Sequence, residues 1–336
     1  MPVRLSVLDQ SPISQGSSGG DALRNSVDLA RHAERLGYTR YWVAEHHGTP
    51  MLACASPEVL ISAIGAATSH IRVGSGGVML PHYSPLKVAE NFSMLTGMYG
   101  ERVDLALGRA PGSDPITAFA LQRDRRVASP DDFPEQLAEL LGYINDTLPV
   151  THRFARLARL PGGVQRPDVW LLGSSPQSGV WAAELGLPYA FADFINPVGG
   201  VDIVERYRQQ YVPSKQHPQP RAIVAIWALC ADTDEEANRL AASSRMAFTL
   251  FLQGRLIPVP PIETALTFLQ EHAEEVDALG RRRRWLVGSP ETVKPGIEEL
   301  AAEYGAEEVM VVTITYDHEA RKRSYELLSE TFGLNS

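Results

Sequence analysis

The 336-residue chain is poor in cysteine, in basic charge and in long apolar runs, and each shortage removes a class of function. Its two cysteines, Cys54 and Cys230, stand far apart in apolar surroundings, so buried thiols in a reducing compartment are expected rather than a disulfide framework. Lys and Arg number 31 against 40 Asp and Glu, for a net charge of −9. A nucleic-acid binder needs the opposite surplus on one face, so no nucleic-acid partner is expected. The one basic cluster, Arg281 to Arg284, fits a solvated segment leading into a strand. No apolar run approaches bilayer length, and none lies behind the N-terminal charge of MPVRLSVLDQ. A soluble cytoplasmic protein with no membrane partner is the expectation. Metal-site spacings are missing too: there is no HExxH and no Cys-His pattern, so no metal is expected.

What the chain does have is alternation. Eight short apolar or β-branched runs are strand candidates: 3–9, 40–45, 71–80, 102–108, 168–174, 189–193, 221–230 and 308–315. Between them lie stretches of helical spacing, such as Leu23, Val27, Ala30, Ala33 and Leu36, closed by Gly37. Ser56-Pro57-Glu58 and Ser289-Pro290-Glu291 each match an N-cap, a proline in the first turn and an acid behind it. Eight strand–helix units imply a (β/α)8 barrel in one domain spanning residues 1–336, in preference to an open doubly wound sheet. Two long segments, 109–167 and 232–305, interrupt the pattern after strands four and seven. Both insertions fall on the face where such barrels build their sites.

Three stretches at strand ends carry candidate chemistry. Glu45-His46-His47 follows strand two and supplies a carboxylate and two imidazoles; a loop hydrogen-bond cluster is the plainer alternative. Gly74-Ser75-Gly76-Gly77 ends strand three. So many glycines there mark a bulge, an unusual peptide, a close-approaching flat ligand or a tight barrel interior. Gly173-Ser174-Ser175-Pro176-Gln177-Ser178 opens a helix after strand five. With Arg109 on the neighbouring strand it forms an anion site suited to a phosphorylated cofactor. Trp42, Met79 and Trp227 are candidates to wall a substrate pocket, or ordinary core. The segment 250–262 is a candidate lid with Gly254 as its hinge.

YWVAEHHG, VGSGGVMLPHYSPLKVAE, GERVDLALGRAPG and LLGSSPQSGVWAAELGLPYAFA, taken with VGSPETV and EVMVVT, resemble the bacterial luciferase-like flavin monooxygenases over nearly the whole chain. The resemblance implies reduced FMN as co-substrate and dioxygen and a small organic molecule as the other reactants. It also implies a separate NAD(P)H-dependent flavin reductase and a homodimer. By position it gives His46 the place near the flavin ring, with Glu45 or His47 orienting it. It gives Gly76–Gly77 a non-prolyl cis peptide beneath the ring, and phosphate contacts to Arg109, Ser174, Ser175 and Ser178. The luminescent members carry two alanines at the cis site and a cysteine where this chain has Gly108, so light emission is not implied. A deazaflavin-dependent hydride transfer and a non-catalytic flavin carrier are the alternatives. The substrate is not legible.

Overall fold

Each of the eight apolar runs forms a strand in the computed structural model, which describes residues 3–109, 114–122, 132–157, 160–273 and 284–334. The barrel strands are β1 (Arg4–Asp9), β2 (Arg40–Val43), β3 (Arg72–Ser75), β5 (Val103–Gly108), β6 (Asp168–Gly173), β7 (Tyr189–Ala192), β8 (Ala222–Cys230) and β10 (Glu308–Val312). All their ladders are parallel, running β1-β2-β3-β5-β6-β7-β8 and closing through β10, which pairs with both β8 and β1. Two short strands stand outside this ring: β4 (Val78–Met79) pairs with β5, and β9 (Trp285–Gly288) pairs with the distal half of β8. The structure is thus the TIM barrel expected, with its long interruptions after β5 and β8.

Parallel strands with helices outside and side chains inside are covered on both faces, which explains why these runs are apolar throughout rather than alternating. Helices α1 (Gly19–Arg35), α2 (Pro57–Ala67) and α3 (Pro85–Tyr99) follow the first three barrel strands. Helix α1 ends as expected, with Gly37 at φ +80°. Ser56 and Ser289 occupy N-cap positions with proline in the first turn, yet neither hydroxyl makes the capping bond. The insertion after β5 carries α4 (Pro115–Leu121) and α5 (Phe133–Asn145), and α6 (Pro176–Glu184) and α7 (Gly200–Gln209) follow β6 and β7. The insertion after β8 carries α8 (Asp234–Leu252), α9 (Ile262–Glu271) and α10 (Pro290–Tyr304), and α11 (His318–Phe332) ends the ring. Ala110 to Ser113 and Arg281 to Arg283, both singled out in the sequence, lie outside the described residues. No helix among the described residues is long and apolar enough to cross a membrane.

The amino end of the barrel is closed by charge. Arg40, the first residue of β2, sits 2.6 Å from Glu308 at the start of β10 and 2.8 Å from Asp104 near the start of β5. All three are buried, and the Arg40 guanidinium lies 4.9 Å from the centre of the Trp170 ring. Buried charges persist only when paired and hydrogen-bonded, a condition that ties three strands together at the end opposite the site.

Candidate active site

Where β2 ends, the chain turns across the carboxyl mouth of the barrel. Glu45 is 1% exposed, and its carboxylate accepts hydrogen bonds from Met79 N (2.9 Å), Tyr83 OH (2.8 Å) and His47 Nε2 (2.6 Å). The His47 ring meets His82 edge-on at 5.7 Å. Glu45 is therefore the hub that joins the end of β2 to the segment after β3.

His46 is set differently. Its backbone N–H donates to Cys54 O at 2.9 Å, while its ring Nδ1 is shut off from solvent with no hydrogen-bond partner among the described residues. Burial first, and the neighbouring His47 second, push the imidazole down to about 4, so the ring is neutral at physiological pH. Close by in the barrel order, the Gly76–Gly77 peptide is cis, at the position the resemblance indicated. Gly76 N donates to Val43 O at 2.8 Å, binding this peptide to the end of β2. Space is tight at both glycines, against a side-chain tip at Gly76 and against backbone at Gly77. A Cβ on Gly76 would lie 2.5 Å from Leu8 Cδ1, and one on Gly77 would strike Leu172 and stand 2.6 Å from the Ala106 carbonyl.

The residues expected to hold an anion follow the next two strands. Ser175 is the N-cap of α6, exposed, and its hydroxyl makes no bond to the helix; Pro176 follows and has no N–H to offer. Arg109 leaves β5 on the exposed surface with its guanidinium 5.6 Å from the Trp181 ring centre. Ser178 differs from its two companions. It is 8% exposed, its hydroxyl donates to Ser175 O at 2.8 Å, and Tyr189 OH lies 2.9 Å away. Its proton is thus spent on holding the turn. Ser174 and Ser175 thus stand at an uncapped helix start, and Arg109 lies against Trp181 of the same helix.

Across the mouth from these strands is a cavity of about 590 Å³. Gln10, His46, Phe194, Trp227, Phe248 and Phe251 are on its wall, drawn from the ends of β1, β2, β7 and β8 and from α8. Trp227 stacks on Trp285 at 5.5 Å with 8° between the planes, and Phe194 meets it edge-on at 5.8 Å. Of the three expected wall residues only Trp227 lines this cavity. Trp42 is fully buried below it, with its indole N–H donating to Asp104 at 2.8 Å, and Met79 contributes its backbone N–H to Glu45. Sequence reasoning missed Gln10, Phe194 and Phe248, and placed Phe251 only in the candidate lid. Gln10 was findable as the polar residue directly after β1, whereas Phe248 lies in an insertion with no local mark. The candidate lid is narrower than 250–262: Leu250 is 2% exposed, and Val259 is buried and exchanges backbone hydrogen bonds with Ile13 and Gln15. Between them Gly254 has φ +76° and open space around it.

The luciferase-like monooxygenase family matches residues 3–308. An uncharacterised Bacillus subtilis protein, YwcH, is 48% identical over 98% of this chain and 99% of its own length. The N-acetyl-S-alkylcysteine monooxygenase of the same organism is 35% identical, with 98% of each chain covered. The crystal structure of apo-MsnO8 superposes with a TM-score of 0.88 at 41% identity, covering 99% of this chain and 98% of that one. The fold alone is shared with the FMN complex of a diketocamphane monooxygenase from Pseudomonas putida (20% identity, TM-score 0.71, 98% and 97% of the two chains). It is shared likewise with an F420-dependent secondary alcohol dehydrogenase (15% identity, TM-score 0.70, all of both chains). With most of its length matched and relatives this similar over their whole chains, the protein belongs to the luciferase-like monooxygenase family.

Proposed function

We propose that this chain oxygenates a small organic molecule with dioxygen and reduced FMN, the flavin being delivered by a separate NAD(P)H-dependent reductase. The observation that carries the reading is the division of the barrel mouth. The ends of β3, β5 and β6 present the Gly76–Gly77 peptide, Arg109, Ser174 and Ser175, while β1, β2, β7 and β8 present an apolar cavity. His46 stands on the boundary. Bound reduced FMN would supply the electrons that activate dioxygen. Arg109, Ser174 and Ser175 would hold the phosphate, with Ser178 bracing their loop, and Gly76 and Gly77 would lie against the ring. His46, neutral and on the cavity wall, takes and returns a proton at the reacting centre, and the Glu45–His47 pair fixes the segment that bears it. Phe194, Trp227 and Phe248 exclude water from that centre.

The reading includes a single-domain cytoplasmic protein that pairs as a homodimer. The exposed Val59, Met94 and Met98 on α2 and α3 support pairing there. The substrate named for the 35% identical Bacillus enzyme carries a carboxylate. No described residue on this cavity wall is a lysine or arginine that would receive one.

The test is an anaerobic titration with reduced FMN and, separately, with reduced deazaflavin, followed by rapid mixing with aerated buffer. Reduced FMN should bind, and its reoxidation rate should change in His46→Ala. Binding of the deazaflavin alone would move the protein to hydride transfer, and FMN binding with a reoxidation rate indifferent to His46 would leave only a carrier.

A further inference from the structure

The cavity wall is uneven in its polar chemistry. Among the described residues it has a single carboxylate, Asp114, and that group already accepts from Ile116 N (2.9 Å) and Thr117 N (3.1 Å). The Ser244 hydroxyl is engaged too, donating to Ala241 O at 3.0 Å. Three wall groups are left over among the described residues: His46 Nδ1 and Trp227 Nε1, both without a hydrogen-bond partner, and the side-chain amide of Gln10, a residue 6% exposed that lines the cavity and makes no side-chain hydrogen bond there. A primary amide carries two donors and an acceptor, and on a mostly apolar wall, with none of them spent on a described protein group, it is placed to receive the polar group of a bound molecule.

We propose that this cavity selects an uncharged, mostly apolar organic molecule bearing an amide, carbonyl or hydroxyl group, and that Gln10 determines this specificity by binding that group. Aromatic faces from Phe194, Trp227, Phe248 and Phe251 take the apolar part. An anionic head would meet one carboxylate and, among the described residues of the wall, no lysine or arginine. Arg255, next to the lining residues Gly254 and Leu256, is exposed and not part of the wall. Gln10 directly follows β1 and His46 follows β2, its paired neighbour, so a molecule anchored at Gln10 lies beside His46. The assignment rests on the oxygenase reading for the fate of the bound molecule, and on the cavity alone for its selectivity.

Calorimetric titration of the intact protein with phenylbutanamide, phenylbutanoate and phenylbutylamine compares a neutral, an anionic and a cationic head on one apolar frame. The amide should bind at least about tenfold more tightly than the carboxylate. In Gln10→Leu, checked for an unchanged melting profile, amide affinity should fall about fivefold. Gln10→Glu should reverse the preference, with the amine binding more tightly than the amide. Equal binding of amide and carboxylate overturns the proposal, as do a wild-type preference for the amine, failure of all three probes to bind, or an amide affinity indifferent to both substitutions. Reduced FMN is titrated into the same samples. Loss of FMN binding with the amide preference intact would overturn the cofactor reading and leave the cavity assignment standing.

Discussion

His47 Nε2 stands 2.6 Å from Glu45 Oε1, and this contact decides which nitrogen of His47 carries hydrogen. A buried carboxylate that already accepts from a backbone N–H and a phenol can only accept again, so Nε2 is the donor and the ring is fixed in that tautomer. The adjacent His46 has no such partner. Two consecutive histidines thus divide into one that is locked and one that is open, and the open one lines the cavity.

Removing the hub should be expensive. Glu45→Ala strands the half-buried Met79 N–H, Tyr83 OH and His47 together, and an unsatisfied donor costs up to about 1–3 kcal/mol when fully buried. A loss of about 3 kcal/mol in urea denaturation is expected, and Glu45→Gln should lose less because its carbonyl still accepts. Equal losses for the two would show that packing, not acceptance, is what matters.

His46 makes stability depend on acid. Its folded value is lowered from 6.5 to about 4, so the unfolded chain binds the proton more readily. Its contribution is therefore complete above about 6.5 and is lost as pH falls from there toward about 4. Unfolding free energies measured across that window should fall less steeply for His46→Gln than for wild type, and parallel slopes would contradict a buried neutral imidazole.

Gly77→Ala and Gly76→Ala should differ. At Gly77 a methyl meets the Ala106 carbonyl, part of the backbone, whereas at Gly76 the nearest atom is the tip of the Leu8 side chain, which can turn away. Overpacking costs about 1–3 kcal/mol, and Gly77→Ala should sit at the upper end, with a lower melting temperature and weaker reduced-FMN binding than Gly76→Ala.

Ser175→Ala separates stability from binding. An N-cap serine usually contributes about 1 kcal/mol, but this hydroxyl makes no capping bond, so thermal stability should barely change. Affinity for FMN should fall while affinity for riboflavin, which has no phosphate, should not. Equal effects on both flavins would move the phosphate elsewhere.

Arg40→Met tests the opposite end of the barrel. It leaves the buried carboxylates of Glu308 and Asp104 short of a partner, and a broken buried pair costs about 3–5 kcal/mol. Melting temperature should drop sharply with flavin affinity unchanged in the protein that remains folded.

By itself the sequence determined the eight strands, the two insertions, the place of Glu45-His46-His47 after β2 and the Gly76–Gly77 site. These are carried by neighbouring residues: apolar runs, glycine clusters and helix starts express local preferences that need no distant partner. The tertiary structure alone decided which side chains share a wall. In a parallel barrel both faces of every strand are buried, so apolar patterning does not say whether Trp42 faces the cavity or, as found, Asp104 near the amino end. The same holds for Gln10 and Phe251, which meet on one cavity only because β8 and β10 close the ring onto β1 and bring α8 over its mouth. Arg40 and Glu308, 268 residues apart, are paired by that closure too, since a barrel makes its first and last strands neighbours whatever lies between them in the chain.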